Sequence, residues 1–123
     1  MTILAYVFRA HHVDAGVILG SLCVYMMAAV IWAEFYGLLE HLRPGSISFP
    51  PVDTLIGTRG VLQYFSFVTI TTVGYGEIHP VAPLARAAAA TEALVGQLYL
   101  VVLVARLVGL HTAQEAAQRS APR

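Results

Sequence analysis

Residues 16–33 form a run of 18 residues whose polar side chains are only Ser21 and Tyr25. A helix of about 20 such residues crosses the hydrocarbon core of a bilayer. Aromatic residues gather near the end of the run, as they do at a membrane–water interface. The run therefore predicts a first membrane-spanning helix over residues 14–39.

The composition of the whole chain agrees with a membrane protein. Of its 123 residues, 58% are hydrophobic and 11% are charged, whereas about 25% of the residues of a typical soluble domain are charged. Seven arginines and seven acidic residues give no net charge, and no basic block indicates a nucleic-acid partner. The single cysteine, Cys23, excludes a disulfide framework within the chain.

A second apolar segment lies in the last third of the chain. Residues 83–111 predict a second spanning helix, with Pro83 in its first turn, where the missing N–H costs nothing. At 1.5 Å per residue this helix exceeds the thickness of the hydrocarbon core. Residues 112–123 are polar and rich in Ala and Gln, and they predict a tail after the span.

The remaining segments are too short to span. Residues 1–13 suit an interfacial position, because aromatic residues and Arg9 favour the headgroup level. Residues 40–58 contain Pro-Gly, Pro-Pro and several Ser and Thr residues, which predict a loop. Residues 59–71 are apolar but too few to cross, and they predict a short re-entrant helix.

Residues 72–76, Thr-Val-Gly-Tyr-Gly, follow this short helix and are called the signature segment below. Two glycines flank Tyr75, which suits a backbone that takes φ values closed to other residues. Irregular backbone at membrane depth is tolerated only where protein buries it or where it lines a watery cavity. Carbonyl groups turned toward such a cavity can replace the water shell of a cation, so the segment predicts a cation site.

The signature segment is the TVGYG sequence by which potassium-channel selectivity filters are recognised, and the chain resembles the two-transmembrane potassium-channel family. The resemblance covers nearly the whole chain. It implies an all-α membrane protein with two transmembrane helices, a re-entrant pore helix and a selectivity-filter loop, assembling as a homotetramer. The segments then become an outer helix, a turret, a pore helix, the filter and an inner helix.

The resemblance also implies the site and its ligands. Potassium ions lie in the filter on the carbonyl oxygens of Thr72, Val73, Gly74 and Tyr75, the Thr72 hydroxyl faces the innermost position, and Gly76 makes the exit turn. No organic cofactor is implied. The implied partners are potassium, membrane lipid and three further copies of the chain. The implied location is the plasma membrane, with the filter toward the outside and both termini in the cytoplasm.

Three positions around the filter depart from the family pattern. Tyr64 and Phe65 stand where two tryptophans are common, and Glu77 stands where Asp is usual. Val68 occupies the position at which some relatives carry an acid that pairs with the acid after the filter. Val68 and Glu77 are therefore expected to support the filter without a carboxylate pair.

Glu92 is the costliest residue to place if it lies at membrane depth, where charges usually face protein or water. One hypothesis makes it a filter support that contacts hydroxyls such as Ser66 or Thr69. A second directs it to the cavity, where it concentrates cations. The third places it near the outer interface, only nine residues beyond Pro83.

The second half of the inner helix contains candidate gating residues. Gly96 lies 20 residues after Gly76, where the family has a hinge, although close packing against the pore helix is the alternative. Leu100, Val104 and Val108 repeat every four residues and suit a hydrophobic gate that closes by dewetting. Ordinary helix–helix packing is the competing explanation.

Three functions remain open from the sequence. Selective potassium conduction is the leading hypothesis, a weakly selective cation channel is the second, and a non-conducting membrane scaffold or partner subunit is the third. An enzyme is not expected, because the five histidines have no metal-ligand spacing and no nucleophile–base arrangement is visible. No arginine-rich helix precedes the pore, and the gating stimulus is not encoded in a recognisable motif.

Overall fold

The computed structural model describes residues 15–51 and 55–120, so the interfacial segment expected over 1–13 lies outside the described residues. The described chain is mostly helical. Its elements, in chain order, are α1 (Ala15–Leu42), β1 (Ile47–Ser48), α2 (Leu55–Ile70), β2 (His79–Pro80) and α3 (Pro83–Ser120).

Two of the helices are long and apolar enough to span a membrane. The candidate spans are Gly16–Leu42 and Pro83–Ala113, and the most apolar 18 residues of each have a mean hydropathy of 2.1. The helix between them, α2, has 16 residues, which corresponds to about 24 Å. The predicted fold class, two spanning helices with a short helix between them, is confirmed.

Helix boundaries lie outside the expected ranges at three places. Helix α1 ends at Leu42 instead of at 39. Helix α2 begins at Leu55, four residues before the expected start at 59. Helix α3 continues to Ser120 instead of ending near 111. The residues after 111 include several Ala, Gln and Glu residues, which are strong helix formers, so nothing in the local sequence ends the helix earlier.

Contacts divide the chain into two units, of which residues 26–97 form the larger. Its core combines side chains of all three helices with one residue of β1. Ala85 and Ala88 are small, and they let α3 approach the aromatic residues of this core closely. The buried core residues are Tyr36, Leu39, Ile47, Leu62, Phe65, Ala85 and Ala88.

The second unit comprises residues 1–25 and 98–123, of which 15–25 and 98–120 are described. Tyr25 and Tyr99 stack with their ring centroids 5.7 Å apart. The Tyr99 hydroxyl donates to the Ser21 carbonyl oxygen at 2.7 Å. A paired aromatic contact and one hydrogen bond thus join the first turns of α1 to α3 within this unit.

The loop expected over 40–58 contains the end of α1 and a strand. Strands β1 and β2 pair antiparallel, with Ile47 opposite Pro80 and Ser48 opposite His79. The Glu40 carboxylate accepts the N–H groups of Gly45 at 2.5 Å and Ile47 at 3.1 Å, which closes the turn after α1. The segment before α2 is therefore tied to the segment that follows the signature segment.

Candidate functional site

The signature segment leaves the C-terminal end of α2 and folds back across it. The N–H groups of Val73 and Gly74 both donate to the Val68 carbonyl oxygen, at 3.0 and 3.2 Å. The Thr72 N–H donates to the Thr69 carbonyl oxygen at 2.9 Å. These bonds use carbonyl groups that the end of a helix otherwise leaves unpaired. Val68 thus contacts the signature segment through its backbone carbonyl. Such a contact does not depend on the side chain and could not be predicted from the residue type.

Backbone handedness alternates along the signature segment. Thr72, Gly74 and Gly76 have φ values of 59°, 55° and 95°, whereas no positive φ occurs at Val73 or Tyr75. Alternating handedness turns successive peptide groups the same way. The glycines were expected at such positions, but Thr72 was not, because a β-branched residue at positive φ is a genuine outlier. Strain of this kind costs about 1–3 kcal/mol and is concentrated at functional sites.

The signature segment is open to its surroundings on a single chain. Val73 is 52% exposed and Tyr75 is 71% exposed, and the other residues of the segment are exposed as well. No group of three His, Cys, Asp or Glu residues in the described part of the chain forms a metal site. The backbone carbonyl oxygens and the Thr72 hydroxyl of the segment are of the chemical type that can replace water around a cation.

Glu77, directly after the signature segment, has a phenol as its partner. The Tyr64 hydroxyl donates to Glu77 Oε1 at 2.6 Å, which connects the segment's exit to α2. This hydrogen bond, with one from its own backbone, lowers the pKa of Glu77. The same bond is the main reason that the pKa of Tyr64 is raised to about 12. The sequence predicted that Glu77 has no carboxylate partner at Val68, and it did not predict Tyr64 as the donor.

Glu92 is fully buried and joins all three helices. Its Oε2 accepts from the Tyr36 hydroxyl of α1 at 2.5 Å, and its Oε1 lies 2.5 Å from the Ser66 hydroxyl of α2. Ser66 Oγ also lies 2.7 Å from the Ala29 carbonyl oxygen. We call these four residues the carboxyl network.

The two hydroxyl groups that were predicted as partners of Glu92 have different partners in the structure. Ser66 contacts the carboxyl, whereas the Thr69 hydroxyl bonds the Phe65 carbonyl oxygen at 2.7 Å. Tyr36 is one of the aromatic residues near the end of the first apolar run, which indicated a membrane interface. It was not predicted as a site residue. Its ring packs edge-on against Phe65, with centroids 5.0 Å apart, which helps to orient its hydroxyl toward Glu92.

Gly96 lies where α3 comes closest to the end of α2. A Cβ built at Gly96 would lie 2.6 Å from both the carbonyl oxygen and Cγ1 of Ile70. Only a glycine fits this contact without a shift of the backbone. The next residue, Gln97, places its Nε2 3.4 Å from the Thr72 hydroxyl, so α3 also reaches the signature segment. Gln97 was not among the predicted site residues.

The three candidate gate residues lie in the part of α3 that belongs to the second unit. Val104 and Val108 are 56% and 57% exposed on the single chain, and Leu100 is half-buried. Their four-residue spacing places them on one face of the helix. This face remains available for contacts outside the single chain.

Two comparisons with known proteins bear on this site. The model of a family described as "Ion channel" matches residues 17–112, which include most of α1 and α3, all of α2 and the signature segment. The inward rectifier potassium channel Kirbac3.1 of Paramagnetospirillum magnetotacticum is 32% identical to this chain over 83 residues. That alignment covers 64% of this chain and 24% of the relative, so the likeness concerns about a quarter of that protein.

Proposed function

Because this chain belongs to the ion channel family, we propose that it conducts potassium ions passively across a membrane through a pore built from four copies. The observation that carries the proposal is the alternating backbone of residues 72–76 at the end of α2. The name of the potassium-channel relative supports potassium as the ion. The family is a class of channels and not of enzymes.

In this proposal the chain is one pore domain. Helix α1 is the outer helix, α2 is the pore helix, residues 72–76 are the filter and α3 is the inner helix. The carbonyl oxygens of Thr72, Val73, Gly74 and Tyr75 replace water around a dehydrated potassium ion, with the Thr72 hydroxyl at the innermost position. The negative end of the α2 dipole points toward the same region and favours a cation there.

The ion leaves as readily as it enters because neutral oxygens coordinate it. A permeating ion must be bound well enough to lose its water but weakly enough to move on. Glu77 carries charge near the exit, and its bond to Tyr64 holds that carboxyl against α2. The filter geometry is supported from behind by the Val68 carbonyl and by Glu92 in the carboxyl network.

A tetramer is proposed because one chain leaves both its filter and its spans uncovered. In the most apolar windows, only 28% of the first span and 6% of the second are buried within the chain. Four copies around an axis would enclose the filter and cover part of these faces. The mass of the protein in detergent, corrected for bound detergent, should be four times 13.2 kDa. A monomeric mass would contradict the tetramer.

The proposal extends to gating and location. Leu100, Val104 and Val108 would constrict the inner end of the pore, and Gly96 would allow α3 to bend or to pack closely. The chain would lie in the plasma membrane, with the filter outside and both termini in the cytoplasm. Labelling single-cysteine variants in whole cells with an impermeant maleimide tests this orientation: position 48 should react and position 112 should not.

A flux assay tests the function itself. Purified protein in liposomes loaded with potassium chloride should let potassium leave when a protonophore is added, and valinomycin should then release the remainder as a control. An equal response when sodium replaces potassium would instead indicate a weakly selective cation channel. No response above empty liposomes, from protein of tetrameric mass, would favour a non-conducting scaffold or partner subunit.

A further inference from the structure

The carboxyl network contains more close oxygen contacts than its hydroxyl groups can supply with hydrogens. Three pairs of oxygens lie at hydrogen-bonding distance: Tyr36 with Glu92, Ser66 with Glu92, and Ser66 with the Ala29 carbonyl. Their separations are 2.5, 2.5 and 2.7 Å, and the contact between Ser66 and Glu92 is shorter than an ordinary O–H···O hydrogen bond. Each such contact needs one hydrogen between the two oxygens.

Counting those hydrogens assigns a proton to Glu92. The Tyr36 hydroxyl has one hydrogen and gives it to Glu92 Oε2, and the Ser66 hydroxyl has one as well. A backbone carbonyl only accepts, so the Ala29 contact requires the Ser66 hydrogen. The remaining contact, between Ser66 Oγ and Glu92 Oε1, then needs a hydrogen that only the carboxyl can carry.

We propose that Glu92 is a neutral carboxylic acid that donates its proton to Ser66 Oγ and so positions the pore helix against both spanning helices. Tyr36 donates to Oε2, Glu92 donates through Oε1 to Ser66, and Ser66 donates to the Ala29 carbonyl. The chain of three hydrogen bonds runs from α1 through α3 and α2 back to α1. Every polar atom in it then has a partner.

Glu40 shows the contrast within the same protein. Its carboxyl also has two contacts, but both come from backbone N–H groups, at Gly45 and Ile47, which each bring their own hydrogen. Two contacts and two hydrogens require no proton on the carboxyl. Glu40 therefore serves as an internal reference for an acid that acts as an ordinary acceptor.

The surroundings of Glu92 also favour the neutral form. The carboxyl is fully buried in a segment long and apolar enough to span a membrane, where a charge is costly unless it is paired. The groups that face it are the Tyr36 phenol of α1 and the Ser66 hydroxyl of α2. No arginine or histidine in the described part of the chain is among the groups that act on it.

Loss of the Glu92 proton would break the network at one defined place. The carboxyl O–H bond breaks, the proton leaves to solvent, and the Ala29 carbonyl and the new carboxylate compete for the one Ser66 hydrogen. One oxygen pair is then left without a hydrogen, and a buried acceptor that lacks its donor is destabilising. Alkaline solution should therefore loosen α2 from its neighbours.

Infrared spectroscopy of the purified protein in detergent tests the protonation state without any need for conduction. At neutral pH, the difference between the wild-type protein and Glu92→Gln should contain the C=O stretch of a protonated carboxyl. The corresponding difference for Glu40→Gln should lack this C=O stretch. Carboxylate bands in the Glu92→Gln difference would overturn the proposal.

A second variant gives the same answer if Glu92→Gln does not assemble. Tyr36→Phe removes the donor to Oε2, which is the carbonyl oxygen of the neutral acid, and should move the C=O stretch to higher frequency. An ionised Glu92 would have no such band to move. If the C=O region of a protonated carboxyl is the same in the spectra of the wild-type protein and of Tyr36→Phe, the proposal is overturned as well.

The functional consequence rests on the proposed channel function and is measured separately. Glutamine can donate through its amide to Ser66 and accept from Tyr36, so Glu92→Gln keeps both hydrogen bonds without a group that can lose a proton. It should keep its conductance in alkaline solution, in which the wild-type protein loses conductance. If the network needs a carboxylate, Glu92→Gln should instead lose conduction. Absence of current in both proteins would refute the channel function and would leave the infrared result unaffected.

Discussion

Gly76 is the residue whose backbone is least replaceable, because its φ of 95° lies beyond the small left-handed region that other residues enter. Gly74 and Thr72, at 55° and 59°, lie inside that region. A Cβ at Gly76 would meet no atom within 4 Å on the single chain. The constraint at this position is therefore one of backbone conformation and not of space.

Replacing Gly76 by alanine should abolish potassium flux in liposomes while the protein keeps its tetrameric mass. The strained backbone, worth about 1–3 kcal/mol per residue, would relax to negative φ and turn a carbonyl away from the axis. Gly60→Ala is the matched control, since Gly60 lies in α2 with no positive φ and open space around it. Equal flux in the two variants would contradict the role of Gly76.

Tyr64 and Glu77 form the second contact whose effect can be isolated at a single residue. Tyr64→Phe removes the hydroxyl that holds the Glu77 carboxyl against α2. We expect a lower open probability in single-channel recordings at constant voltage, because the filter exit is less fixed. Tyr99→Phe loses a comparable hydroxyl bond, to the Ser21 carbonyl, and should record as the wild-type protein does. A Tyr64→Phe open probability equal to that of wild type would refute the coupling.

The sequence did not predict that the Tyr36 and Tyr64 phenols each contact a carboxyl group, and the reason is physical. Tyr36 lies 56 residues from Glu92, and Tyr64 lies 13 residues from Glu77. An aromatic residue near the end of a spanning run is common at the interface whether or not its hydroxyl has a buried partner. Only the packing of three helices reveals which phenol meets which carboxyl.

At the scale of elements, α3 packs closely against the end of α2 at Gly96. Gly96 on α3 faces the Ile70 carbonyl, the last residue of α2 before the turn into the filter. This contact holds α3 against the end of α2, directly before the signature segment. This contact supports the interpretation of Gly96 as a position of close packing. A hinge at Gly96 is a separate proposal.

Gly96→Ala should destabilise the tetramer, since its Cβ would lie 2.6 Å from a backbone oxygen that cannot move aside cheaply. Overpacking of this kind typically costs about 1–3 kcal/mol. Thermal unfolding in detergent, followed by circular dichroism, should show a lower midpoint than that of wild type. Gly109→Ala, on the same helix with no atom within 4 Å, should not lower it. A Gly96→Ala midpoint at or above that of Gly109→Ala would contradict the packing role.

The elements themselves were largely predictable because apolar length is a local property. The two spans and the short helix between them follow from runs of apolar residues. The pairing of β1 with β2 does not, because each strand has two residues and β2 includes Pro80. The two strands meet because the turn that Glu40 closes places β1 beside β2, which follows the signature segment.

At the scale of the whole molecule, the single chain leaves most of the apolar surface of its two candidate spans uncovered. The match over residues 17–112 confirms the predicted membership of a channel family. The exposed Val104 and Val108 on α3 then become candidates for a ring of side chains around a common axis.

Val108→Thr tests the gate with almost no change in side-chain volume. If four apolar side chains close the pore by dewetting, an added hydroxyl should favour water and raise the open probability. Val102→Thr is the matched control, because Val102 is also half exposed but lies on the opposite face of α3. Equal open probabilities in the two variants would argue against a gate at Val108.

The reversal potential of the purified tetramer in a planar bilayer tests the central claim, a potassium-selective pore, most directly. Potassium is placed at unequal concentrations on the two sides, and sodium restores equal total cation and chloride concentrations. The account predicts that current reverses at the equilibrium potential of potassium, in the wild-type protein and in Gly60→Ala. A measurable current that reverses at zero voltage would contradict it.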